Sequence, residues 1–132
     1  MQGLQAMWDL PSEGYCWATA GYMGAIASGQ TSCGLLIGAG IAIGLRCGQG
    51  KDGIPEEHQD ERNKAIGAVA RLYQDFLKEF GSTDCKTLSK CDFANPDDRN
   101  QYIQDKLWKT TCDVFLGFVM KKCIEMESES KI

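Results

Sequence analysis

A chain of 132 residues with a formal net charge of −4 can build one hydrophobic core without disulfide support, and it carries no basic stripe or basic amphipathic helix, which excludes nucleic acid as its expected partner. Its first ten residues lack the positive start and continuous apolar region of a secretory signal, and its longest apolar run, over 34–45, falls short of the ~20 residues that span a bilayer, so a cytoplasmic protein without a membrane partner is expected. Seven cysteines is a high count, and in a reducing compartment they point to metal ligands or redox thiols rather than structural bridges.

In chain order, Leu4, Met7, Trp8 and Leu10 fit a turn of helix, within a partly ordered arm over 1–11, that ends before Pro11, because a residue preceding proline is pushed out of the α region. Ser12 is placed to cap a helix over 13–28 whose Tyr15, Cys16, Ala18, Thr19, Tyr22, Met23 and Ile26 give a mostly apolar surface and which stops at Gly29. The next helix is apolar all round and rich in glycine, with Thr31 or Ser32 as its N-cap and Cys33 at its first helical position. That position predicts a lowered thiol pKa, because free amides and the positive helix end stabilise a thiolate; the alternative is that Cys33 is a small buried hydrophobe. Gly34, Gly38, Gly40 and Gly44 predict close packing against this helix.

After a polar loop over 49–53, Pro55 opens a long helix whose Ile66, Val69, Ala70, Tyr73, Phe76, Leu77 and Phe80 recur at three-four spacing up to Gly81. Ser82 is positioned to cap a short turn holding Cys85 and Leu88. Asn95-Pro96-Asp97-Asp98 reads as N-cap, first position and acidic first turn of another helix. A last helix over 110–127 carries Cys112, Leu116, Val119, Cys123 and Met126 on one stripe, followed by a frayed tail over 126–132. With no alternating strand pattern and no repeat, the expected fold is all-α: one domain over 1–132, a small bundle of about five or six helices around the central glycine-rich buried helix. His58, the sole histidine, is read as a solvated side chain.

No C-x-x-C or C-x-x-C-H occurs, which excludes a thioredoxin-type pair and covalent c-type haem, and a single histidine argues against a zinc finger. The cysteines are instead dispersed over different helices. Gly38-x-Gly40-x-x-x-Gly44 misses the dinucleotide fingerprint and has no strand before it, so it is read as helix packing.

The pattern G-x-x-G-x-x-x-S-G-x-x-S-C-G-x-x-x-G-x-x-x-x-x-G-L-x-x-G over 21–48, F-x-x-x-F-G-S-x-x-C-x-x-L over 76–88, C-D-F-x-x-P over 91–96 and then Cys112 resembles the family of redox-active proteins named for its Cys, Gly-Cys-Ala-x-x-Gly, Cys, Cys pattern. By position, the resemblance matches Cys33 to the cysteine of the central glycine motif, Cys85 to the next and Cys112 to the last. The Gly-Cys-Ala opening is absent here, as is an N-terminal helix bearing the family's first cysteine, for which Cys16 is no positional match. A related domain in split-Soret cytochromes is associated with an iron–sulfur cluster, so the resemblance implies a cluster held by Cys33, Cys85 and Cys112 with Cys91 or Cys16 as fourth ligand.

Three functions follow. The first is a redox or electron-transfer protein with clustered cysteines and an iron–sulfur cofactor, working with an electron-transfer protein partner. The second is a metal-free thiol–disulfide protein in which Cys33 and Cys85 pair; the third is a non-catalytic helical interaction module with core cysteines. The family positions and the local helix starts together predict that Cys33, Cys85 and Cys112 lie close in space while Cys47 and Cys123 are ordinary core residues. The extensive apolar stripes of the long and last helices predict a homodimer.

Overall fold

A computed structural model describes residues 1–11 and 15–132, without the side chains of Cys16 and Ala18, so Ser12 as a cap and Cys16 as a ligand lie outside the described residues. The described residues are all-α, with one isolated antiparallel bridge between Ser32 and Asp84 and no strand. Among them, no helix is long and apolar enough to cross a membrane.

The turn of helix expected before Pro11 is α1 (Gln2–Met7), which buries Leu4 and Gln5 and is followed by buried Trp8 and Leu10. The helix expected over 13–28 is divided into α2 (Tyr15–Ala20) and α3 (Tyr22–Ala27) at Gly21, a poor helix former. Its described aromatic and apolar residues are not core: Trp17 is 83% and Met23 65% exposed. Gly29 ends this region at φ +70°, and a Cβ there would lie 2.6 Å from Asp92 Oδ1, so two requirements select glycine.

Helix α4 (Gly34–Cys47) buries Leu36, Ala39, Ala42 and Ile43 against α5 (Gln59–Phe80), α8 (Cys112–Ser128) and α1. It is not enclosed on every side as its apolar composition predicts. Gly44 is exposed and Gly40 and Ile41 half-buried, because no element among the described residues covers that side. Of the glycines expected to admit a backbone, Gly38 does so, a Cβ there lying 3.1 Å from the Met1 nitrogen; at Gly40 only Val69 methyls approach, and at Gly44 nothing does.

The helix expected from Pro55 starts as a separate 3-10 turn (Pro55–Glu57), and α5 begins after His58, whose φ of −125° and ψ of 65° break the helical path. Its buried residues are Ala68, Leu72 and Phe76, with Ala65, Val69, Tyr73 and Phe80 packed alongside. That stripe is rotated from the expected one, leaving Ile66 53% and Leu77 50% exposed. Gly81, at φ +74°, closes α5 by donating its amide to Leu77 O at 2.8 Å.

Then come α6 (Cys85–Ser89), α7 (Pro96–Gln104), a 3-10 turn (Leu107–Lys109) and α8. Helix α8 buries Phe115, Val119, Cys123 and Met126, whereas Leu116, expected on that stripe, is 43% exposed. Phe76 packs at the centre of an aromatic group, with ring centroids 4.7 Å from Phe80, 5.7 Å from Phe115 and 5.9 Å from Phe118. The tail is tied down instead of frayed: Ile132 is buried, Lys131 N donates to Met126 O at 2.8 Å, and Arg71 pairs with Glu129 at 2.5 Å.

Candidate functional site

The two short segments that precede α4 and α6 pair with each other. Cys33 N donates to Thr83 O at 2.7 Å and Cys85 N donates to Thr31 O at 2.9 Å, around the Ser32–Asp84 bridge. Two cysteines 52 positions apart are thereby fixed at adjacent helix starts. Tyr22 holds one side of this pairing: its hydroxyl contacts Thr31 Oγ1 and donates to Ser32 O at 2.8 Å. Asp84 holds the other, capping α6 by accepting from Thr87 N at 2.7 Å, while Ser82 Oγ, expected as that cap, accepts from Asp84 N at 3.0 Å.

Cys33 is itself the N-cap residue of α4, one place earlier than its sequence suggests, and is 6% exposed. Its thiol pKa is raised, not lowered. Burial dominates, the amides of Leu35 and Leu36 oppose it, and the neighbouring Cys112 adds to it. The amide-rich helix start therefore acts on the sulfur but loses to desolvation. Cys85, the first residue of α6, is half-buried and pushed up to about 11 by burial and then by the charges of Cys33, Cys112, Asp84 and Cys91.

Cys112 opens α8 behind Thr111 and is half-buried. Its Sγ lies 2.9 Å from the Tyr102 hydroxyl and 3.9 Å from Thr111 Oγ1. Tyr102 projects from α7, whose start is set by Asn95 Oδ1 accepting from Asp97 N at 2.9 Å, with Pro96 at the first position. Its ring is 5.1 Å from that of Phe93 and 6.2 Å from that of Trp108, and the residue is 6% exposed. Burial first, and the bond to Cys112 second, raise the phenol pKa above its ordinary value.

Cys33, Cys85 and Cys112 thus come from three helices into one neighbourhood, each pair close enough for a charge on one sulfur to act on the other. Cys91 borders it. It is buried, its amide donates to Ser89 Oγ at 3.3 Å, and burial raises its pKa. Cys123 is fully buried in the core and pushed up to about 11 by burial, and Cys47, half-buried, ends α4 far from Cys33. All of these cysteines are free thiols. His58 is partly buried, and its Nε2 lies 2.6 Å from Asp52 O. Tyr102 is the site residue that sequence reasoning missed; the aromatics Phe93, Tyr102 and Trp108 ahead of Cys112 were a visible cluster, but nothing in them marks a hydroxyl aimed at sulfur.

A surface cavity of about 630 Å³, lined by Ile41, Leu45, Ile54, His58, Arg62 and Ile66, lies at the opposite end of α4 and shares no residue with the thiols.

Among the described residues, no three His, Cys, Asp or Glu side chains converge to hold a metal ion, and the Cys112 sulfur is engaged by Tyr102. No iron–sulfur site is shown among the described donors Cys33, Cys85, Cys112 and Cys91. No curated protein and no solved structure matches the chain. A family model described as "Putative redox-active protein (C_GCAxxG_C_C)" matches residues 1–126, and the chain belongs to that family.

Proposed function

We propose that the chain is a metal-free thiol–disulfide redox protein whose reactive sulfurs are those of Cys33, Cys85 and Cys112. The observation that carries this reading is the backbone pairing of 31–33 with 83–85, which sets two thiols at neighbouring helix starts, together with the electrostatic contact of both with Cys112. Cys33 and Cys85, whose charging is made harder by burial and by neighbouring sulfurs, favour a state in which two sulfurs are joined, because a disulfide removes two ionisable groups from a poorly solvated site. Membership in a redox-active family supports the same reading.

Two thiols of the three give two electrons to a disulfide carried by a partner protein or a small molecule. The partner's S–S bond breaks and an intramolecular S–S bond forms. Two thiol protons leave the protein and, through solvent, protonate the two thiols released.

The test is incubation of the reduced chain with glutathione disulfide, followed by thiol counting and peptide mapping. Two thiols should be lost per chain into one bridge drawn from Cys33, Cys85 and Cys112, and dithiothreitol should restore both. Unchanged thiols would favour the interaction module, and stoichiometric iron with visible absorption in anaerobically purified protein would favour the cluster.

A further inference from the structure

We infer that Cys112 is the attacking thiol of the three and that Tyr102 is the residue that positions its sulfur, with Cys85 resolving the mixed disulfide. This rests on the thiol–disulfide reading and assigns an order within it. The geometry at Cys112 differs from that at the other sulfurs, since a phenolic hydroxyl lies 2.9 Å from it. Tyr102 packs against the rings of Phe93 and Trp108, and its helix has a capped start. A thiol is ordinarily more acidic than a phenol, so when the pair loses one proton it leaves sulfur, and Tyr102 becomes the donor to a thiolate. Charge-assisted hydrogen bonds of this kind are about twice as strong as neutral ones.

The alternatives are less suited to begin the reaction. Cys33 is 6% exposed, which hinders approach of a disulfide, and Cys85 carries Asp84 beside it. Among the described residues, the titratable groups facing Cys112 are Tyr102 from α7, Cys33 from the start of α4 and Cys85 from α6, with Asp113 next to it on α8.

In the first step the Cys112 thiolate attacks one sulfur of the substrate disulfide; a Cys112–substrate bond forms, the substrate S–S bond breaks, and the released thiolate takes a proton from solvent. Capping Cys112 removes its charge from Cys85, which eases loss of the Cys85 proton to solvent. Cys85 then attacks Cys112 Sγ, forming the Cys85–Cys112 disulfide and expelling the second substrate thiolate, which is protonated in turn. Two thiols are oxidised and one disulfide is reduced.

The experiment uses the full chain and glutathione disulfide. Cys85→Ser, with Tyr102 intact, should accumulate a glutathione adduct on Cys112, located by peptide mapping. Tyr102→Phe retains the ring that packs on Phe93 and Trp108, so it should melt close to the parent. Its Cys112 should alkylate more slowly near neutral pH, by roughly threefold, and its rate profile should move to higher pH by about one unit, because a lost donor lowers the thiolate fraction while raising intrinsic nucleophilicity. Alkylation of Cys47 should not change. In Cys85→Ser, an adduct on Cys33 in place of Cys112, or an unmoved Cys112 profile in folded Tyr102→Phe, would overturn the assignment while leaving the thiol–disulfide reading intact. Absence of any adduct or bridge would overturn that reading itself.

Discussion

Desolvation governs the chemistry of individual cysteines here. Cys33 occupies a helix start whose amides favour a thiolate, yet its pKa is raised because the residue is almost wholly withdrawn from water. Cys123 shows the same effect without function. Its folded-state pKa is pushed up to about 11 from an ordinary value of 9.0, so the folded chain keeps a proton that the unfolded chain loses between those values. The stability contribution is complete below about pH 9 and is lost as pH rises toward about 11, by roughly 3 kcal/mol, with Cys85 acting in the same direction. Urea midpoints of the reduced protein should therefore fall between about pH 8 and about pH 10.5, and Cys123→Ala should flatten the decline. A midpoint independent of pH would contradict this burial. Phe76 is the comparable test of packing: it is fully buried against three other phenylalanines, so Phe76→Ala should cost about 3–5 kcal/mol in chemical denaturation.

The elements matter through their starts. Asp84 both caps α6 and belongs to the bridge that brings Cys85 beside Cys33, so Asp84→Ala should destabilise by about 1 kcal/mol and also slow disulfide formation. A loss of stability with unchanged oxidation would separate the cap from the site. Gly38→Leu should destabilise by about 1–3 kcal/mol, since a side chain there meets the Met1 backbone; unchanged thermal stability would show that α1 does not pack on α4. The caps at Asn95 and Gly81 were legible in the sequence, because each rests on local chemistry: a side-chain acceptor before proline and a left-handed backbone after an apolar stripe. The α5 stripe was misread by a rotation, since Ile66, Leu77 and Ala70 keep helical spacing as well as Ala68, Leu72 and Phe76 do. Only the neighbours, α4 and α8, decide which face turns inward.

At the scale of the whole molecule, helical class was legible from periodicity, but the meeting of 31–33 with 83–85 was not. That bridge is formed by two loop segments with no strand pattern, and the Tyr102–Cys112 contact joins side chains whose spacing has no signature. The open side of α4 raises the question of assembly. We propose that a second copy covers Gly40, Ile41 and Gly44 together with Ile66, as the apolar excess of the sequence predicts. Light scattering at micromolar concentration should give a dimer mass. Gly44→Leu, which has space within the single chain, should give a folded monomer; a monomeric parent would remove this proposal.

The most direct measurement of the central claim is site-resolved mapping of the bridge formed when the reduced chain meets glutathione disulfide. The predicted result is a reversible bond between Cys85 and Cys112, with Cys47 and Cys123 still free. A bridge that includes Cys47 or Cys123, or a chain that retains every thiol, would contradict it.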